Sequence, residues 1–251
     1  MTQEIPQIVE VEAPDISHII TEDDTPVDNL FSEHQQHLLA DGLHYYWHAP
    51  NNQPFVAISN VGLYYGVHKP PLVPDFMLSI GVEYPENYWE KRHRTYLVWE
   101  FGKSPDLAVE IVSNLVGKEL DEKLDKYAHA NVPYYLVFDP SEQYGSDVLR
   151  AYKRNGGGYH RLEEPVFETL GLSCTLWTGE YAGMHGTWLR WLDAEGRMIP
   201  TGVEAAAEEA ARAEKAESRA SSAESRASKA ELLAAKMAEK LKELGINPDA
   251  L

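Results

Sequence analysis

SPDLAVEIVS, Ser104–Ser113, alternates as a β-strand does: Leu107, Val109 and Ile111 share one face, and Asp106, Ala108, Glu110 and Val112 share the other. An ionised carboxylate in mid-strand is costly to bury unless a partner or a metal compensates it. Glu110 therefore marks a strand whose second face meets polar chemistry.

Downstream, GKELDEKLDKYAHAN (117–131) carries Leu120, Leu124, Tyr127 and Ala128 as an apolar stripe at helical spacing. YYLVFDP then reads as a buried strand, and VLRAYKRNGGGYHRL as a hairpin turning on its glycines. Upstream, PDFMLSIGV reads as a strand, and FVAISN and VGLYYGV as two more with a turn near Asn60. Before these, NLFSEHQQHLLADGLHYYW has helical periodicity, with Ser32 as the expected N-cap and Gln35 three residues on. Helix and strand segments alternate irregularly, which predicts an α/β or α+β fold built on a mixed sheet.

A chain of 251 residues, 43% hydrophobic, can bury one substantial core and still carry an appendage. One cysteine, Cys174, excludes an intramolecular disulfide and fits a reducing compartment. No long apolar run suggests a membrane span and no basic-then-apolar leader suggests export, so a cytoplasmic protein is expected. The net charge of -18 argues against tight nonspecific phosphate binding, which rests on Lys and Arg, but leaves room for a local basic cleft.

The charge is unevenly spread. Residues 1–68 hold ten acids and no Lys or Arg, whereas 69–203 hold twenty acids and fourteen bases. Residues 1–28 mix acids, prolines and scattered aliphatics and read as a flexible acidic arm. Residues 29–203 then form the globular domain, and 204–251 an Ala/Glu-rich helical tail. In that tail AESRASS (216–222) is nearly repeated by AESRASK (223–229), a seven-residue period. An alanine seam makes the tail a candidate for either a solvated single helix or a weak coiled coil that joins copies into a homo-oligomer. Gly245 is its expected C-terminal cap.

Asp75 and Asp106 each follow a proline at a strand start, where acids are common turn residues. Glu110 differs because its strand is otherwise apolar. On the helix that follows, with Leu120 taken as zero, Tyr127 falls near -20° and Lys123 near -60°. Lys123 therefore borders the buried stripe, free either to snorkel into solvent or to reach over the sheet toward a carboxylate. Two carboxylates suffice for Mg2+ when waters and a phosphate complete its shell, with Mn2+ as a substitute. A lysine beside them can orient a water or stabilise the charge of a pentavalent phosphorus. Phosphodiester hydrolysis is the reaction class such a set suits.

PDLAVEIVS followed by KELDEKLDKYAHANVPYYLVFDP resembles the Uma-type (Uma-two) family of bacterial restriction endonucleases, in the PD-(D/E)xK nuclease superfamily. The matching positions are Pro105, Asp106, Glu110, Ser113, Lys123, Tyr127, Val132, Tyr135, Asp139 and Pro140, with PDFMLSIGV as the preceding Pro-Asp strand. WEFGKSPD, WLRWLDAEGRMIPT and the tail ending LGINPDAL look like the family's flanking segments, so the resemblance covers about Leu30 to Leu251. It implies a restriction-endonuclease-like mixed β-sheet core flanked by helices, with a C-terminal extended helix.

By position, the resemblance makes Asp75 the first metal-binding acid and Glu110 the second. The superfamily's usual lysine, two residues after the second acid, is replaced by Val112, which implies that Lys123 supplies the cation from the helix. Glu33, in FSEHQQHLL, takes the place of an assisting helix acid; Asp106 and Asp139 read as structural. The implied function is Mg2+-dependent cleavage of DNA. A rival is a catalytically silent nuclease fold acting as an interaction module and oligomerising through its tail, favoured by the acidity and by Val112. A paired-carboxylate glycosidase ranks last because it has no role for Lys123. The basic cluster EKRHR (90–94) reads either as a phosphate contact with Tyr96 and Trp99 as stacking partners, or as a solvated loop.

Overall fold

The computed structural model describes residues 14–19, 29–113 and 118–243. The chain divides into two units, Met1–Ile199 and Pro200–Leu251. In chain order the first begins with α1 (Leu30–Tyr46), β1 (Phe55–Ile58), β2 (Leu63–Tyr64) and β3 (Phe76–Ile80). There follow β4 (Tyr96–Leu97), α2 (Val98–Phe101), β5 (Leu107–Ile111), α3 (Glu122–His129) and β6 (Tyr134–Phe138). It ends with β7 (Leu149–Asn155), β8 (Gly158–Arg161), β9 (Val166–Phe167), β10 (Leu172–Tyr181) and β11 (Met184–Leu192). The fold is thus mixed α/β, as its alternating segments predict.

Six strands form the main sheet in the order β1-β3-β5-β6-β7-β8. Only β5 and β6 run parallel, because α3 lies in the connection between them and carries the chain back to the starting end. Every residue of β3, β5 and β6 is buried. One face, through Phe76, Leu107, Val109 and Leu136, belongs to a core with Leu39 and Leu43 of α1 and Trp191 of β11. The other, through Met77, Ala108, Val112 and Val137, belongs to a second core with Tyr127 of α3, Leu63 of β2 and Tyr96 of β4. A strand covered on both faces must be apolar on both, so Glu110 is the exception to a buried pattern.

Asn29, not Ser32, caps α1: its side-chain oxygen accepts the Ser32 backbone N–H at 3.0 Å, while Ser32 is buried one turn inside. Gln35 docks this helix, donating to the Leu189 carbonyl and accepting the Leu189 N–H, both at 2.9 Å. VGLYYGV contributes only the two residues of β2, which pair in parallel with β4 rather than with β1. The glycine hairpin forms between β7 and β8, where Asn155 pairs with Gly158 and Gly156 adopts the positive φ that glycine accommodates without strain. Ile19, inside the stretch read as a loose arm, is buried with Tyr64 and Leu97.

The second unit contains α4 (Gly202–Glu243). Thr201 and Glu204 close a reciprocal capping box at its start: the Glu204 carboxylate accepts the Thr201 N–H at 2.8 Å and Thr201 Oγ1 accepts the Glu204 N–H at 3.2 Å. The cap expected at Gly245 lies outside the described residues. Among the described residues no helix is long and apolar enough to cross a membrane.

Candidate active site

The antiparallel register of β3 on β5 pairs Phe76 with Val109 and Met77 with Ala108. Continued by one residue, that register brings Asp75, which precedes β3, level with Glu110 of β5, whose side chain meets Lys123 and Tyr127 of α3. Asp75 is 5% exposed and Glu110 2%. The two carboxylates are anchored differently. Asp75 Oδ2 accepts the Ile111 backbone N–H at 2.6 Å, and Oδ1 accepts Gln36 Nε2 of α1 at 2.9 Å. Glu110 Oε1 accepts the Tyr127 hydroxyl at 2.6 Å, and Oε2 accepts Lys123 Nζ at 2.8 Å.

Lys123 also donates to Glu119 Oε1 at 3.2 Å, and Glu119 Oε2 accepts the Tyr144 hydroxyl at 3.1 Å. Glu119 is itself buried, just before α3, with its backbone carbonyl accepting the Tyr135 hydroxyl at 2.9 Å. Three carboxylates and one ammonium thus share one half-enclosed corner of the sheet. Val112, the next residue on the Glu110 face, is buried in the apolar core and leaves the cation to α3.

The electrostatics follow from that crowding. Burial pushes the Glu110 carboxyl up to about 8; Lys123 pulls it down, Asp75 pushes it further up, and the Tyr127 hydrogen bond offsets part of the rise. Burial alone would lower the Lys123 ammonium, but the Glu110 and Glu119 carboxylates outweigh it and hold its pKa above the ordinary lysine value. Lys123 therefore stays charged at neutral pH. Burial, then the neighbouring Glu110, raises the Tyr127 phenol well above its usual range, so Tyr127 remains a proton donor.

A divalent cation suits this arrangement. The opposed acids offer hard oxygen ligands without thiol or imidazole, and the pair carries excess negative charge that burial penalises. Among the described residues no cluster of three or more His, Cys, Asp or Glu side chains could hold a metal by itself. A cation at Asp75 and Glu110 would need water or phosphate oxygens to complete its shell, which is how Mg2+ is ordinarily held.

Asp75, Glu110 and Lys123 come together; Glu33 does not join them. Its carboxylate instead pairs with His34 at 2.9 Å and His37 at 3.1 Å, and the α1 side chain that reaches the centre is Gln36. Gln36, Tyr127, Glu119 and Tyr144 were not legible as site residues. Tyr127 counts as apolar in a helical stripe, and only its place four residues after Lys123 on one helix face hints at a shared target. Asp106 accepts Lys103 Nζ at 2.6 Å and the Ile80 N–H at 2.8 Å, and Asp139 caps a turn through the Gln143 and Tyr144 N–H groups. Both are structural, as the sequence suggests.

In the basic cluster, Lys91 donates to the Ser17 carbonyl at 2.8 Å, Arg94 to the Trp89 carbonyl at 2.9 Å, and Arg92 lies 3.6 Å from Glu100. Tyr96 is fully buried, its ring stacked on Phe101 and its hydroxyl bonded to Ser79, so it offers no stacking face to a ligand.

No curated protein matches the chain. A family model does: Uma2, described as "Putative restriction endonuclease", matches residues 19–175. That span covers more than half of the chain and includes Gln36, Asp75, Glu110, Glu119, Lys123, Tyr127 and Tyr144. The acidic centre on β3, β5 and α3 accordingly sits within a nuclease family's own boundaries, and the chain belongs to the Uma2 family.

Proposed function

We propose that the protein is an endonuclease that hydrolyses DNA phosphodiester bonds with Mg2+, or Mn2+ in its place, at Asp75 and Glu110. The observation that carries this reading is the convergence of two opposed, buried carboxylates with one permanently charged lysine. A bound divalent cation supplies an acidified water and neutralises charge on the phosphoryl group. Asp75 is held for that role by Gln36 and the Ile111 N–H, and Glu110 by Tyr127, so neither carboxylate needs to reorganise when substrate arrives. Lys123 acts as a cation rather than a base: its raised pKa keeps the proton on Nζ, where it offsets negative charge that grows on the phosphorus oxygens. In the metal-free protein burial raises the Glu110 carboxyl to about 8, so a cation held there would displace its proton and keep Glu110 as a ligand.

The test is conversion of supercoiled plasmid to open circles by purified protein with Mg2+ or Mn2+, beside Glu110→Ala and Lys123→Ala at equal concentration. Metal-dependent nicking lost in both variants is the expected result. Nicking that persists in EDTA or in both variants would overturn the assignment. A second reading, a silent nuclease fold kept as an interaction module, draws support from the net charge of -18 and from Lys123 being already paired with two carboxylates. Absence of cleavage, together with no calorimetric Mg2+ binding that Asp75→Asn removes, would favour it.

A further inference from the structure

Helix α4 runs for 42 residues, about 63 Å at 1.5 Å per residue, and its side chains from Ala206 to Met237 are all exposed. Its alanines fall on a seven-residue register: Ala213, Ala220 and Ala227 at position a, and Ala216, Ala223 and Ala230 at position d. The charges beside this seam are sorted by sign. Position g holds Arg212, Arg219 and Arg226; position e holds Glu217, Glu224 and Glu231.

Apart from Arg212, which follows Glu208 by four residues and Glu209 by three, that sorting makes no pairs inside a single helix. Oppositely charged partners on one helix must lie three or four residues apart, whereas each g arginine precedes its e glutamate by five. Among the described residues no ion pair involves any of these six side chains. The only hydrogen bond of theirs that the structure shows is Arg226 Nε to the Ser222 carbonyl at 3.2 Å, which leaves the rest of that guanidinium without a carboxylate.

We infer that α4 pairs with α4 of a second copy of this chain, parallel and in register, through the alanine seam. In a parallel pair, position g of one helix faces position e of the next heptad of the other. Arg212 then meets Glu217 of the partner subunit, Arg219 meets Glu224 of the partner subunit, and Arg226 meets Glu231 of the partner subunit, each pair occurring twice. Antiparallel pairing would set g against g and e against e, arginine on arginine and glutamate on glutamate, which the pattern opposes. Alanine buries little area, so the charges decide orientation and contribute much of a modest affinity. Each chain enters α4 from Pro200, so the parallel arrangement tethers both copies of the first unit to one end of the coil. None of this depends on the catalytic reading.

The full chain is tested by sedimentation equilibrium across a concentration series, beside two triple variants. One replaces the arginines (Arg212→Glu, Arg219→Glu, Arg226→Glu) and the other the glutamates (Glu217→Lys, Glu224→Lys, Glu231→Lys). The native chain is expected to form dimers that 1 M salt weakens, because exposed pairs are screened. Each variant alone is expected to dissociate at concentrations about tenfold higher or more, and an equimolar mixture to dimerise again. Circular dichroism of each variant verifies that the helix persists. Orientation is read from Ala213→Cys, which crosslinks to itself under oxidation in a parallel pair but lies near the opposite end of the partner in an antiparallel one. A native chain that stays monomeric throughout, dimers insensitive to both charge reversals, or no crosslink in a dimeric Ala213→Cys protein would overturn the inference.

Discussion

The strand SPDLAVEIVS presents a carboxylate–lysine pair at each end, and the two pairs do different work. At the near end Asp106 and Lys103 lie 2.6 Å apart, the lysine 37% exposed, and Asp106 also holds the Ile80 N–H. This pair fastens the loop before β5 to the end of β3. At the far end Glu110 and Lys123 lie 2.8 Å apart with the carboxylate 2% exposed, a second acid opposite and a third sharing the lysine. One cation serves several buried acids there. Charge in excess of its compensation, rather than the presence of an ion pair, distinguishes the candidate active site from a structural clasp.

Substitutions at the two ends should separate them. Asp75→Asn removes one carboxylate of the proposed metal-binding pair without changing shape, and metal-dependent cleavage should fall by about a thousandfold or more. Plasmid nicking measured beside a thermal melt would show whether folding survives; cleavage within threefold of the native rate would remove Asp75 from the mechanism. Lys123→Met should cost about a hundredfold or more in the single-turnover rate, the scale seen when one stabilising donor is removed. Because it also leaves Glu110 and Glu119 facing each other without a cation, a lower melting temperature should accompany it.

The pH dependence of the metal-free protein sharpens the contrast. Glu110 has its carboxyl raised from 4.5 to about 8 on folding, so between those values the folded state keeps a proton that the unfolded state releases. Below about 4.5 both states are protonated and the group is neutral in its effect. As pH rises from about 4.5 to about 8 it destabilises the fold, by up to a few kcal/mol. In EDTA, Glu110→Gln should flatten this slope, and Mg2+ should raise the melting temperature of the native chain more at pH 8 than at pH 6. A native chain and variant with parallel pH profiles would show that Glu110 does not carry the effect.

The smallest change is expected at the near end. Asp106→Asn loses the ion pair but keeps an acceptor for the Ile80 N–H, so stability should drop by about 1 kcal/mol while cleavage per folded molecule stays within twofold. Urea melts combined with plasmid nicking would measure both. A large loss of cleavage at unchanged stability would make the two ends alike after all.

Much of the architecture was legible because it is periodic. Alternation marked β5, short apolar runs marked β3 and β6, and the stripe of Leu124, Tyr127 and Ala128 marked α3. The seven-residue repeat marked α4. Capping was misread at α1 because Asn29 and Ser32 are both competent caps, and the choice between them turns on where the helix docks, which Gln35 and Leu189 settle from 154 residues apart. Tyr96 was misplaced for a similar reason: beside a basic cluster it resembles a stacking platform, whereas Phe101 and Ser79 enclose it.

By itself the sequence singled out Glu110 and Lys123 as candidates, because an acid in an apolar strand and a lysine at the edge of an apolar stripe are local anomalies against a regular period. Tertiary structure decided how they meet. The antiparallel register that opposes Asp75 to Glu110, the reach of Gln36 from α1, the turn of Tyr127's hydroxyl onto Glu110 and the sharing of Lys123 with Glu119 each join elements whose mutual placement no local period encodes. Periodicity specifies which face of an element is buried; which element covers that face depends on the long-range packing of the whole core.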